Sequence, residues 1–156
     1  MNKTKNQSGL RIPAPTLTII HITMAILLGW LAPLPIPAPA FIQWIGLGFA
    51  ALGFILGVLA LIEFRRARAA ADPKKTTKKI LVTSGIYRYT RNPTYLGFLL
   101  MLIGLPLTMG IYWGIILVWP LVVFTNNMII KHEESYLNKE LNTEYQDYCS
   151  RVRRWL

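Results

Sequence analysis

Two polar clusters hold the residue types that carry chemistry. One runs from Gly85 to Gly97 with the pattern G-x-Y-x-x-x-R-N-P-x-Y-x-G, and the other is His132-Glu133-Glu134. In the first, Asn92-Pro93 reads as an N-cap and first helical position. Proline there lacks an N–H that has no helical partner anyway, and asparagine accepts one. A helix starting at this point offers free amides that attract anions, and Arg88 and Arg91 strengthen the preference. In the second cluster, adjacent carboxylates project about 100° apart on a helix. One of Glu133 and Glu134 then faces a pocket while the other meets solvent or a lysine such as Lys131 or Lys139. Glu133, Glu134 and His132 are also the available bases for a proton. The bland alternatives are a capped helix with arginines at lipid phosphates, and a surface-lying amphipathic helix suited by Arg151, Arg153, Arg154 and Trp155.

The elements that must position these clusters are apolar. No Asp, Glu, Lys or Arg occurs between residues 12 and 62 or between residues 92 and 130. Each gap is long enough for two bilayer crossings of about 20 residues. Pro33, Pro35, Pro37 and Pro39 interrupt the first gap, and Pro106 with Gly110 interrupts the second, so each reads as a helix, a turn and a returning helix. The expected fold is all-α: an integral membrane bundle of four transmembrane helices near 14–33, 41–66, 94–108 and 111–131, followed by a cytoplasmic C-terminal helical segment. The third helix is short for a ~30 Å hydrocarbon core, so the third and fourth are expected to form a hairpin with its tip submerged or the bilayer thinned. The chain reads as one domain, 1–156, with an N-terminal helical hairpin over 12–66.

Lys3, Lys5 and Arg11 precede the first helix, and Arg65, Arg66, Arg68, Lys74, Lys75, Lys78, Lys79, Arg88 and Arg91 fill the central loop. The positive-inside rule then puts both termini, that loop and the two polar clusters on the cytoplasmic side. Trp30, Trp44, Tyr112 and Trp113 suit the opposite headgroup region. The net charge of +10 reads as topology and attraction to anionic lipid rather than as nucleic-acid binding. The N-terminus imitates a secretory signal ending at Ala38-Pro39-Ala40, but its apolar stretch exceeds a usual signal core, so a permanent first helix is expected. The single cysteine, Cys149, excludes an internal disulfide framework and reads as a partly buried thiol.

Other features have structural readings. Gly46, Gly48 and Ala51 match a dinucleotide pattern, but no strand precedes them and no βαβ unit surrounds them. Gly46, Ala50, Gly53 and Gly57 share one helical face and read as a close helix contact. His21 reads as a neutral histidine bonded across the bundle. Toward the C-terminus, Asn142 tolerates a left-handed break and Thr143 with Gln146 matches a capping box. Tyr145, Tyr148 and Val152 form the inner face of a last helix.

Together the Gly85 to Gly97 pattern, the apolar hairpin, Glu133-Glu134 and the E-Y-x-x-Y at Glu144 to Tyr148 resemble the isoprenylcysteine carboxyl methyltransferase family. More broadly, they resemble membrane methyltransferases that include the phospholipid N-methyltransferases. The resemblance covers residues 79–156. It implies S-adenosyl-L-methionine bound at cytoplasmic helix ends without a Rossmann sheet. Carried over by position, Lys79, Ile80, Leu81, Val82 and Tyr87 line the cofactor, Asn92, Pro93, Thr94 and Tyr95 hold it at the helix start, and Glu133 anchors its polar end. Glu133 and Arg91 are the catalytic candidates. The family usually has histidine at the position of Asn92. It usually has an arginine for the acceptor a few residues before the glutamates, where this chain offers Asn126 and Asn127 as substrate-facing candidates.

The expected activity is methylation of a lipophilic small molecule or lipidated acceptor, at oxygen or sulfur, with phospholipid N-methylation as the alternative. No metal and no nucleic acid enters this reading. A non-catalytic lipid-binding or scaffold protein is the competitor from another class. A small multidrug exporter fits less well, since it depends on a membrane-embedded carboxylate and Glu63 sits at a helix end beside arginines.

Overall fold

The computed structural model describes residues 13–70 and 80–156. The described residues are helical and irregular, without strands. Helix α1 spans Ala14–Leu31 and α2 spans Ala40–Ala70. A short 3-10 turn, Gly85–Arg88, leads to α3, Pro93–Thr108. Helix α4, Trp113–Phe124, passes through a π-helical segment, Thr125–Ile130, directly into α5, Lys131–Leu141. Helix α6, Thr143–Arg151, ends the helical chain. By length and composition, three helices can cross a membrane: α1, α2 and the continuous Trp113–Leu141. Helix α3 is apolar but shorter, at 16 residues.

Helix α3 is central because glycines let α2 approach it at backbone distance. A Cβ on Gly53 would lie 2.6 Å from the Gly97 carbonyl oxygen, and one on Gly46 would lie 2.6 Å from the Thr108 nitrogen. Gly104 faces the Ala50 backbone just as closely. The small face expected over Gly46, Ala50 and Gly53 is thus a helix contact, in the manner of membrane packing where small residues replace a water-driven core. Gly57 joins the contact through its backbone, whose nitrogen would lie 3.3 Å from a Cβ on Gly97, although a Cβ on Gly57 itself would meet nothing within 4 Å. Helix α1 packs on α3 and α4, where Leu17, Ala25, Leu102, Leu117 and Leu121 are buried together. His21 Nδ1 lies 2.9 Å from the Leu17 carbonyl oxygen of its own helix, so the expected bond across the bundle is replaced by an intrahelical one.

One end of the bundle is closed by aromatic side chains that hydrogen-bond turn carbonyls. The Tyr112 hydroxyl donates to the Pro37 carbonyl at 2.8 Å and Trp113 Nε1 to the Ala32 carbonyl at 2.8 Å. Gly110, at φ +73°, makes the tight reversal between α3 and α4. At the other end, α6 folds back. Asn142, at φ 40°, turns the chain as expected, but no side chain caps α6. Gln146 instead donates to Asn138 Oδ1 at 3.3 Å, so the capping box does not form. Tyr145, Tyr148 and Val152 are buried against Leu81, Leu137 and Leu141.

Candidate functional site

The start of α3, the end of α2, the 3-10 turn, α5 and the C-terminal tail meet at this second end around two adjoining cavities. The first, of about 570 Å³, is lined by Ile80, Leu81 and Val82, by Arg68 and Leu137, and by Glu134, Tyr145 and Tyr148. The second, of about 680 Å³, is more apolar and runs between α2 and α3 past Gly53, Gly57, Phe98 and Met101 to Ala14 and Pro15. Pro93, Thr94 and Tyr95 line this second cavity. Phe64, Tyr87, Arg91, Asn92 and Glu133 line both. These five form the common wall.

Four of the wall residues, Arg91, Tyr87, Asn92 and Glu133, are bonded to other elements. The Arg91 amide donates to the Arg153 carbonyl at 3.0 Å. Arg91 Nη1 reaches Cys149 Sγ at 2.7 Å, Tyr145 Oη at 3.4 Å and Glu134 Oε1 at 3.2 Å. Arg91 Nε is buried with no hydrogen-bond partner among the described residues. Tyr87 lies in the turn; its carbonyl accepts the Tyr148 hydroxyl at 2.7 Å. Burial raises the Tyr87 hydroxyl pKa, the hydrogen bond with Thr94 pulls it back, and the Glu133 charge adds to the rise. Burial also pushes Tyr148 up to about 12, and raises Tyr145, which a hydrogen bond with Cys149 raises further. These phenols stay neutral donors at neutral pH.

Asn92 begins α3 as expected, with Pro93 at its first position, but makes no side-chain cap. Its Nδ2 donates to the Arg154 carbonyl at 3.0 Å, and the Thr90 hydroxyl donates to the same oxygen at 3.2 Å. The Asn92 amide donates to Thr90 Oγ1 at 3.2 Å and Pro93 has no N–H, so at this uncapped start the amides of Thr94 and Tyr95 are the ones available to a ligand anion.

The two glutamates diverge as the helical step requires, but neither faces a lysine. Glu133 accepts the Tyr95 hydroxyl at 3.2 Å. Glu134 is gripped by Arg154 through Nε at 2.9 Å and Nη2 at 2.6 Å, and by Arg91. One carboxylate is solvent-exposed as expected, but it is Glu133, while Glu134, expected in a solvent-facing pair with a lysine, is the half-buried one and pairs with arginines. The cause is the tail, which returns Arg154 over α5, while Lys131 is occupied at 2.7 Å by Asn127 Oδ1. Bonding to Glu134 raises the Arg154 pKa.

The expected residues fall in four groups. Ile80, Leu81, Val82, Tyr87, Arg91, Asn92 and Glu133 come together on the first cavity, and Pro93, Thr94 and Tyr95 on the second. Asn126 and Asn127 line neither, because their side chains are taken by Arg154 Nη1 at 3.2 Å and by Lys131. Lys79 lies outside the described residues. Sequence reasoning missed Phe64 and Arg154 as site residues, and it gave Glu134 only as a possible base, not as the partner of Arg91 and Arg154. Only the bidentate match of arginine to carboxylate carries a general signal for Glu134 and Arg154, and their separation in sequence hides it.

A family model described as phospholipid methyltransferase matches residues 41–144, from α2 into α6. The chain belongs to the phospholipid methyltransferase family. The chain is 30% identical over 111 residues to protein-S-isoprenylcysteine O-methyltransferase of Schizosaccharomyces pombe, covering 70% of this chain and 47% of the relative. It thus spans about half the length of that protein. It is also 38% identical over 64 residues to an uncharacterized protein of Haemophilus influenzae, covering 40% of this chain and 98% of the other. No solved structure matches it. The family match takes in α2, which the Gly85 to Gly97 motif does not reach, and α2 supplies Phe64 to both cavities. With three described helices long and apolar enough to cross a membrane, the chain is an integral membrane protein.

Proposed function

We propose that this chain transfers a methyl group from S-adenosyl-L-methionine to a lipophilic acceptor at the cytoplasmic membrane face, in the manner of an isoprenylcysteine carboxyl methyltransferase. The observation that carries the reading is the common wall: one polar-lined cavity and one apolar cavity share Phe64, Tyr87, Arg91, Asn92 and Glu133. Two ligands of opposite polarity can meet there. The residues fit the cofactor. Glu133 suits an ammonium, the uncapped start of α3, which opens on the second cavity through Pro93, Thr94 and Tyr95, suits a carboxylate reaching past the common wall, and Ile80 to Val82 with Tyr87 offer an apolar wall to a nucleoside in the first. A volume of about 570 Å³ is in the range of small-molecule sites.

The bound cofactor supplies an electrophilic methyl on a sulfonium, and the acceptor's bond to that carbon forms as the carbon–sulfur bond breaks. The chain's own contribution is alignment and exclusion of water. Arg91, oriented by Glu134, Tyr145 and Cys149, turns a positive group to the common wall. That charge favours a carboxylate or thiolate acceptor over a protonated amine, which supports O- or S-methylation ahead of phospholipid N-methylation. Glu133 and Arg91 hold the catalytic roles. Asn126 acts through Arg154 rather than on the acceptor.

In this reading, all of 1–156 is one domain, and α3 with α4 completes a four-helix span behind a thinned or partly submerged outer turn. Both termini and the site face the cytoplasm. Reporters at residue 1, near Lys75 and at residue 156 are expected on one side, with a reporter at Pro37 on the other; Pro37 and Lys75 on the same side would contradict the arrangement. Activity is tested with methyl-labelled S-adenosyl-L-methionine and either an S-prenylated cysteine or phosphatidylethanolamine vesicles. Label in a base-labile ester of the first supports the reading, label in the ethanolamine headgroup shifts it to N-methylation, and label in neither favours a lipid-binding scaffold.

A further inference from the structure

We infer that Glu63, near the end of α2, is a positioning residue that latches the 80–88 segment into place as a wall of the site. It touches neither cavity and acts through Ser84 and Gly85. The functional half of the inference rests on the cofactor reading above; the structural half does not.

Three observations converge on this carboxylate. Its side chain is only 16% exposed although it stands at the charged end of α2, beside Arg65 and Arg66. Oε2 accepts the Ser84 hydroxyl at 2.7 Å across 21 residues. Gly85 sits directly against it: a Cβ there would lie 2.5 Å from Glu63 Cδ and 2.7 Å from Oε1, and its φ of +55° favours glycine in any case. Side-chain bond, steric fit and backbone conformation thus fix one point of the loop to α2. From that point the Ser84 carbonyl accepts the Tyr87 amide at 3.1 Å and starts the 3-10 turn, which carries Tyr87 to the common wall. Tyr148 fixes the other side of Tyr87 through its carbonyl.

The second partner of Glu63 matters less. Arg66 bridges Oε1 at 3.2 Å, but its side chain is 74% exposed, and exposed pairs of this kind contribute little. What the latch requires is an acceptor facing Ser84, not a charge. Glutamine at position 63 keeps an acceptor and should preserve the latch. Alanine at 63 or at 84 removes it, and both are mild changes at a helix end and a loop.

The test measures two quantities on detergent-solubilised wild type, Glu63→Gln, Glu63→Ala, Ser84→Ala and Arg66→Ala. These are hydrogen exchange of the amides in residues 84–89 and calorimetric affinity for S-adenosylhomocysteine. Expected are faster exchange and about tenfold weaker binding in the two Ala variants at 63 and 84, as befits the loss of one hydrogen bond that holds the loop, with near-wild-type values for Glu63→Gln and Arg66→Ala. Unchanged exchange in Glu63→Ala and Ser84→Ala would overturn the latch, as would faster exchange with unchanged affinity. Equal loss in Glu63→Gln and Glu63→Ala would overturn it in favour of a purely electrostatic role. If wild type binds no ligand, the cofactor reading fails, and the exchange measurements alone decide whether the latch exists.

Discussion

Glu134→Gln is expected to lower the stability of the folded protein by about 2–4 kcal/mol, since removing one partner of a largely desolvated ion pair leaves the other charges unmatched. Glu134 is 18% exposed, and it balances Arg91 at 15% and Arg154 at 32%. Glutamine can accept only part of the bidentate Arg154 bond and neutralises neither guanidinium. Arg91 and Arg154 then face each other without an anion, and the tail that supplies the Arg153 and Arg154 carbonyls to Arg91, Asn92 and Thr90 loses its side-chain anchor. Thermal unfolding in detergent measures the loss. A variant as stable as wild type would mean that the tail is held by its backbone bonds alone.

Glu133→Gln is expected to behave in the opposite way, with little change in stability and about tenfold or greater loss of cofactor affinity, because a charge-assisted hydrogen bond to an ammonium is removed. Its protein partner, the Tyr95 hydroxyl at 3.2 Å, can still donate to the amide oxygen. Calorimetry with S-adenosylhomocysteine on both glutamine variants separates the roles. Equal affinities for wild type and Glu133→Gln, with stability intact, would remove Glu133 from the cofactor's polar end.

The contrast between the two glutamates shows where sequence is informative. The start of α3 is legible at Asn92-Pro93 because proline at the first helical position is a local steric rule, and the small face of Gly46, Ala50 and Gly53 is legible from helical spacing alone. The side chain of Asn92 is not. Its partner is a carbonyl 62 residues away, and no local preference competes with that tertiary bond. The same holds for Glu134, whose expected lysine is taken by Asn127 and whose true partner comes from a tail that reads as a membrane-surface basic patch. The π-helical segment at Thr125–Ile130 adds a further unreadable step, since it shifts the register of α5 without any signature residue. Thr143 and Gln146 fit a capping box in spacing, yet Asn138 draws Gln146 away.

Ligand binding by the wild-type protein bears most directly on the central claim, that the cavity beneath Tyr87 holds S-adenosyl-L-methionine. Isothermal titration of the folded protein in detergent is expected to show saturable binding of S-adenosyl-L-methionine and S-adenosylhomocysteine. Tyr87→Ala, which removes a wall of both cavities, should weaken both, and Pro93→Ala should do so less by loosening the helix start. Absence of binding of either ligand by a preparation shown to be folded would contradict the account.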